Sequence, residues 1–141
     1  MDWVHVIIDV PSEYAPASDP FWAAVLGWPR GEAWSDQSAF CSFEPPYGDA
    51  YVHRQVGDHG PRIHLDLEVD DIALETERLR GLGATVGERS AEWQVLESPG
   101  GLPFCLLTSK PRLRPSPVDV NGHRSRLVQV CIDSPPDRHP G

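Results

Sequence analysis

Two histidines stand at matching places in two similar stretches, and they are the first candidates for chemistry in this chain. Trp3–Val10 reads WVHVIIDV, and Arg62–Asp71 reads RIHLDLEVDD. In the second stretch strict alternation points Ile63, Leu65, Leu67 and Val69 to one side of a strand and Arg62, His64, Asp66 and Glu68 to the other. In the first, Val4, Val6, Ile8 and Val10 form an apolar face opposite Trp3, His5, Ile7 and Asp9. Imidazoles and carboxylates are the groups of metal ligation and proton transfer. The plainer reading is a solvated polar face, common in antiparallel sheets. The recurrence of the histidine in both stretches favours a site.

The elements around these strands repeat as well. After the first strand ends at Pro11, Asp19-Pro20 predicts a helix start, with Asp19 as N-cap and proline at the first helical position. The helix would run through Phe21, Trp22, Val25 and Leu26, pack those i, i+4 pairs on the strand, and stop at Gly27. Strand-like pieces follow at Ala33–Trp34, Ser38–Phe43 and Ala50–Val56. After the second histidine strand, Asp70 or Asp71 can cap a helix with Ile72, Thr76, Leu79 and Gly83 on its packed face. Strand-like pieces at Ala84–Gly87, Glu92–Glu97 and Pro103–Thr108 complete the second half. Each half is β-α-β-β-β, and the histidines are offset by 64 − 5 = 59 residues, the spacing of a duplicated supersecondary unit.

Composition bounds what such a duplicate can do. A chain of 141 residues, 40% hydrophobic and 23% charged, suits one domain that buries a core without staples. The formal charge of −9 argues against a phosphate-tracking nucleic-acid binder. No apolar run is long enough to cross a bilayer and the N-terminus enters a strand at once, so a cytoplasmic protein with no membrane partner is expected. Cys41, Cys105 and Cys131 are odd in number and widely spaced, which fits free thiols in a reducing compartment.

The segments FWAAVLGW (Phe21–Trp28), RIHLDLEVDD, RLRGLGATV (Arg78–Val86) and VLESPGGLPFCLL (Val95–Leu107) together resemble the vicinal oxygen chelate superfamily, the glyoxalase, bleomycin-resistance and extradiol-dioxygenase group. HLDLEV with PFCLL is similar to its glyoxalase-like domain proteins. The resemblance implies an α+β fold in which two βαβββ modules, residues 1–58 and 61–110, form a cupped mixed sheet with helices on the outer face. It also implies a homodimer and a divalent metal (zinc, iron or nickel) held by the first and last strands of each module. Carried over by position, the ligands would be His5, His53, His64 and Cys105, the last strand of the first module having His53, and that of the second Cys105, where a glutamate is usual. Strand parity puts all four opposite the core: Val52 and Val56 leave His53 on the other face, and Phe104 and Leu106 leave Cys105 there. Trp3, Trp34, Tyr51 and Trp93 are candidates for the aromatic walls of a ligand cavity, and Asp66 and Glu68 for a general base.

Two functions follow. As a binder, the protein would hold a small molecule in the cup, as the bleomycin-resistance branch does. As an enzyme, a metal-dependent lyase, isomerase or dioxygenase, it would chelate adjacent oxygens of a substrate and stabilise an anion by Lewis acidity. A closed His₃Cys tetrahedron leaves no position for substrate, whereas His5, His53 and His64 alone would. Because the usual ligand set is absent, the binder is the expectation.

The two modules leave the C-terminal part over. Residues 111–125, with Pro111, Pro115 and Pro117 interspersed with Arg112 and Arg114, read as a stiff solvated linker. Residues 126–141 open with RLVQVCIDS, which set against WVHVIIDV places Gln129 where His5 stands. This predicts the first strand of a further, truncated module or a C-terminal arm, with Val128–Ile132 added to a sheet edge and Gln129 not a metal ligand.

Overall fold

Alternation of apolar residues gives the strands, and in the computed structural model, which describes residues 2–133, they overlap the expected stretches, although the piece expected at Ala33–Trp34 lies earlier, at Arg30–Ala33. The order is β1 (Trp3–Val10), a 3₁₀ turn (Ser12–Tyr14), α1 (Ala15–Leu26), β2 (Arg30–Ala33), β3 (Phe40–Phe43) and β4 (Val52–Val56), then β5 (Arg62–Val69), α2 (Ile72–Gly81), β6 (Thr85–Arg89), β7 (Trp93–Glu97) and β8 (Pro103–Thr108). A short hairpin, β9 (Val118–Val120) and β10 (His123–Ser125), follows. The fold is α+β with mixed strand pairing, and β-α-β-β-β occurs twice as expected. Among the described residues no helix is long and apolar enough to cross a membrane.

The described residues divide into two compact units, one made of His5–Ile63 with Pro111–Val128, the other of His64–Lys110 with residues 2–4 and 129–133. In the first, β2, β3, β4 and β1 lie side by side, β4 antiparallel to β3 and parallel to β1. Ile8, Val10, Phe43 and Val52 pack beneath α1 with Leu26 and Trp28, and Trp22 and Ala23 complete the contact. Burying side chains of this size contributes roughly 1.5–3 kcal/mol each. The helix begins four residues before the predicted N-cap. Pro16 takes an early position where no N–H is required, Pro20 is carried inside the helix, and Asp19 turns inward as an ion-pair partner instead of capping. Only the Trp22 and Leu26 side of the predicted face is packed, while Phe21 and Val25 are exposed.

The second unit repeats the topology as β6, β7, β8 and β5, with β8 again parallel to the unit's first strand. Asp71 caps α2, its carboxylate accepting from the Leu74 N–H at 2.9 Å. Ile72 and Leu79 pack with Val69, Leu96 and Leu106, and Thr76 is buried with its hydroxyl returned to the Ile72 carbonyl at 2.7 Å.

Residues 111–125 are not a solvated linker. Pro115 is fully buried, a Cβ on Gly48 (φ 88°) would stand 2.7 Å from the Pro115 nitrogen, and Val118 and Leu127 pack on the α1 core. Asn121 (φ 53°) and Gly122 (φ 80°) form the turn of the β9–β10 hairpin, the Asn-Gly pair that two-residue loops favour. The segment therefore straps the first unit. Among the described residues, the strand expected over Arg126–Ser134 is not formed: residues 126–133 have no regular structure and Val128 is 78% exposed. Ser134 and the prolines after it lie outside the described residues.

Candidate functional site

Register fixes the first cluster. On β4, His53 lies opposite Ile7 of β1 and Ser42 of β3, all on the face away from α1. His5, two residues before Ile7 on that face, reaches across diagonally, and its Nδ1 is 2.8 Å from His53 Nε2. His53 Nδ1 is 2.8 Å from Ser42 Oγ, which accepts from Trp34 Nε1 at 3.1 Å. At the other end the guanidinium of Arg112, delivered by the strap, lies 3.5 Å from His5 Nε2. The result is a line of polar groups, Trp34–Ser42–His53–His5–Arg112, within one unit.

Aromatic rings frame this line. Trp34 stacks on Phe40 at 4.9 Å between centroids and meets the His53 ring edge-on at 5.3 Å. His5, Ser42 and His53 are buried, whereas Trp34 is 36% exposed. Burial above all, then the neighbouring His5 and the Arg112 cation, lowers the His53 pKa to about 3. The His53 ring is neutral at any physiological pH.

The equivalent place in the other unit has different chemistry. Asp66 on β5 pairs in register with Cys105 on β8, and the thiol is hydrogen-bonded to the carboxylate. Burial first, then Asp66, pushes the Cys105 thiol up to about 12, so it is neither a thiolate nor a nucleophile near neutrality. His64 Nε2 lies 3.7 Å from Asp66 Oδ1. Glu68 is fully buried and accepts from the Lys110 N–H at 3.3 Å.

The expected site residues thus appear as His5 with His53 in one unit, and as His64, Asp66 and Cys105 in the other. Among the described residues, no three His, Cys, Asp or Glu side chains are grouped to hold a metal ion. The geometry of the histidine pair explains its part of this. Two imidazole nitrogens on one tetrahedral zinc at about 2.0–2.1 Å stand about 3.3 Å apart. At 2.8 Å these two point at each other as hydrogen-bond partners. A neutral, carboxylate-bonded thiol is likewise not a ready ligand. Within each unit, then, these side chains are bonded to one another and are not set as ligands of one ion.

Of the proposed aromatic walls, Trp34 borders the histidine line. Trp93 lies on β7 opposite Leu107, and Trp3 is half-buried at the start of β1. Tyr51 is spent on the helix side, its ring edge-on to Trp28 and its hydroxyl donating to the Leu127 carbonyl. Ser42 and Arg112 escaped the sequence reading. Parity along FCSF puts Ser42 opposite Cys41 and Phe43 and was the available signal; nothing local marks Arg112. An open hollow of about 420 Å³ lined by Pro16, Asp19, Pro20, Ala23 and Arg30 lies elsewhere, and its carboxylate is already bound by arginines.

A duplicated βαβββ unit with polar groups on the face opposite each helix defines a class of protein, and sequence comparison gives the family. Residues 5–107 match the model of the glyoxalase-like domain, and the chain belongs to that family. Among solved structures, a glyoxalase/bleomycin resistance protein/dioxygenase superfamily member from Vibrio splendidus 12B01 is similar at 15% identity and a TM-score of 0.53, over 77% of this chain and 100% of that one, and shows the fold. A glyoxalase/bleomycin resistance protein/dioxygenase family enzyme from Burkholderia phytofirmans PsJN matches at 16% identity and a TM-score of 0.32, over 72% and 95% of the two chains. An antibiotic binding protein from Streptomyces sp. CB03234 matches at 16% identity and a TM-score of 0.29, over 74% and 93%. No curated protein matches the chain.

Proposed function

We propose that this protein is a small-molecule binder that receives its ligand on the face formed by Trp34, Ser42, His53 and His5. The observation that carries this reading is the 2.8 Å contact between the two histidines. It commits the two rings to each other, and a buried polar line beside an accessible aromatic ring is the makeup of a recognition surface. Three free cysteines suit a reducing compartment, in keeping with a cytoplasmic protein.

The resemblance to the vicinal oxygen chelate superfamily also implies a second reading, a metal-assisted lyase, isomerase or dioxygenase, and one experiment separates the two. Purified untagged protein is analysed for zinc, iron and nickel, then titrated with a panel of aromatic small molecules while indole fluorescence is followed. The binder predicts metal well below one equivalent and saturable quenching that Trp34→Phe reduces. Stoichiometric metal together with turnover of a substrate bearing vicinal oxygens would replace it with the enzyme.

A further inference from the structure

The line of polar groups has a direction, and Arg112 sets it. A guanidinium can only donate. With Arg112 at 3.5 Å from His5 Nε2, a proton on that nitrogen would face a cation, so Nε2 accepts and the His5 proton resides on Nδ1. That proton is given to His53 Nε2, which leaves the His53 proton on Nδ1, facing Ser42 Oγ. Ser42 Oγ then receives two donors, His53 and Trp34, which occupy both of its lone pairs. Its own hydroxyl proton remains to be given. Ser42 is 8% exposed, and its two hydrogen bonds in the structure are these incoming ones, so a nearly buried O–H is left with no acceptor among the described residues. Leaving a buried donor unanswered is costly, which makes it a place for a ligand atom.

We propose that Ser42 is the recognising donor of this face, giving its proton to a carbonyl or carboxylate oxygen of an aromatic ligand that lies against Trp34, and that Arg112 is the positioning residue that fixes the direction. This deepens the binding reading above and rests on it. The ligand class follows from the two groups that meet it: a planar ring for the exposed indole and an acceptor oxygen for the hydroxyl. The opposite polarity, with Ser42 donating to His53, would present no free donor and would drive a proton from His5 toward the guanidinium. The strap that carries Arg112 lies beyond the 5–107 match to the family, so the direction belongs to this chain's own C-terminal segment.

Long-range proton–nitrogen correlation on the ¹⁵N-labelled full chain at neutral pH reads the tautomers directly. His5 and His53 are both expected as Nδ1–H with bare Nε2. Arg112→Met should move a detectable fraction of His5 to Nε2–H, and Arg112→Lys, which also only donates, should retain the original pattern. An Nε2 proton on either ring in the unaltered protein, or unchanged tautomers in Arg112→Met, would overturn the assigned direction. Binding is tested with 1-naphthoate and with 1-methylnaphthalene, which keeps the rings and lacks the oxygens. Ser42→Ala should weaken naphthoate about tenfold and methylnaphthalene less than twofold. Equal effects on both overturn the role of Ser42. Failure of both probes to bind overturns that role together with the binding reading, whereas wrong tautomers remove the free Ser42 donor and leave the binding reading standing.

Discussion

The two modules share a topology and diverge at equivalent positions of their last strands. Where β4 turns Arg54 toward the helix, opposite Ile8, β8 turns Leu106, opposite Leu67. Arg54 is buried and held by both oxygens of Asp19 at 2.9 and 2.8 Å, with Arg30 joining at 2.9 Å, whereas Leu106 is part of an apolar cluster. On the other face the contrast recurs: β4 offers His53 to a second imidazole, and β8 offers Cys105 to a carboxylate. One backbone plan tolerates a polar or an apolar clasp beneath its helix and an imidazole or a thiol across from it. Topology therefore does not dictate chemistry in this molecule; individual positions do.

Breaking the polar clasp should have the largest effect. Asp19→Ala leaves the Arg54 guanidinium buried and is expected to cost about 3–5 kcal/mol, measured by denaturant unfolding. The double change Asp19→Leu with Arg54→Leu imitates the other module and should recover most of that loss, because well-packed apolar residues replace buried ion pairs at little cost. If the double variant is as unstable as the single one, the two clasps are not interchangeable.

A smaller effect separates the other faces by pH. The unfolded His53 takes up its proton near pH 6.5, while the folded ring refuses it until about 3. Between those values the unfolded state binds more protons, so stability falls as pH falls, by about 2 kcal/mol at pH 5. His53→Gln should remove this component. A wild-type profile that runs parallel to that of the variant from pH 7 to 5 would show that the ring is not held neutral.

Thiol labelling gives the smallest signal and tests the second module. In the native protein at pH 8, Cys131, which is exposed, should alkylate, while Cys41 and Cys105, both with raised thiol pKa values, should wait for unfolding. Within a Cys131→Ser background, Asp66→Asn should lower the Cys105 pKa and speed its alkylation above pH 9. An unchanged rate would mean that burial alone governs the thiol.

Much of this molecule is legible in its sequence because period and register are local properties. Alternation in WVHVIIDV and RIHLDLEV gives both histidine strands, and Asp71 declares its helix by capping it. The errors arise where distant partners decide. Asp19 before Pro20 has the form of a cap, and only Arg54, 35 residues away, draws it inward and lets the helix begin at Ala15. The proline-rich 111–125 segment has linker composition, yet Gly48 and the α1 core give it a bed. Asn121-Gly122 was the local sign of a hairpin there. Parity assigned His53 and Cys105 to the face opposite the core, but whether two such groups hold a metal or each other depends on separations of a few tenths of an ångström.

That distinction is the central claim, and calorimetric titration of zinc into protein stripped of metal tests it most directly. A hydrogen-bonded His5–His53 pair predicts no one-to-one site, and any weak heat should be the same in His5→Ala and His53→Ala. A single tight site that is lost in both variants would contradict it and make the two histidines metal ligands.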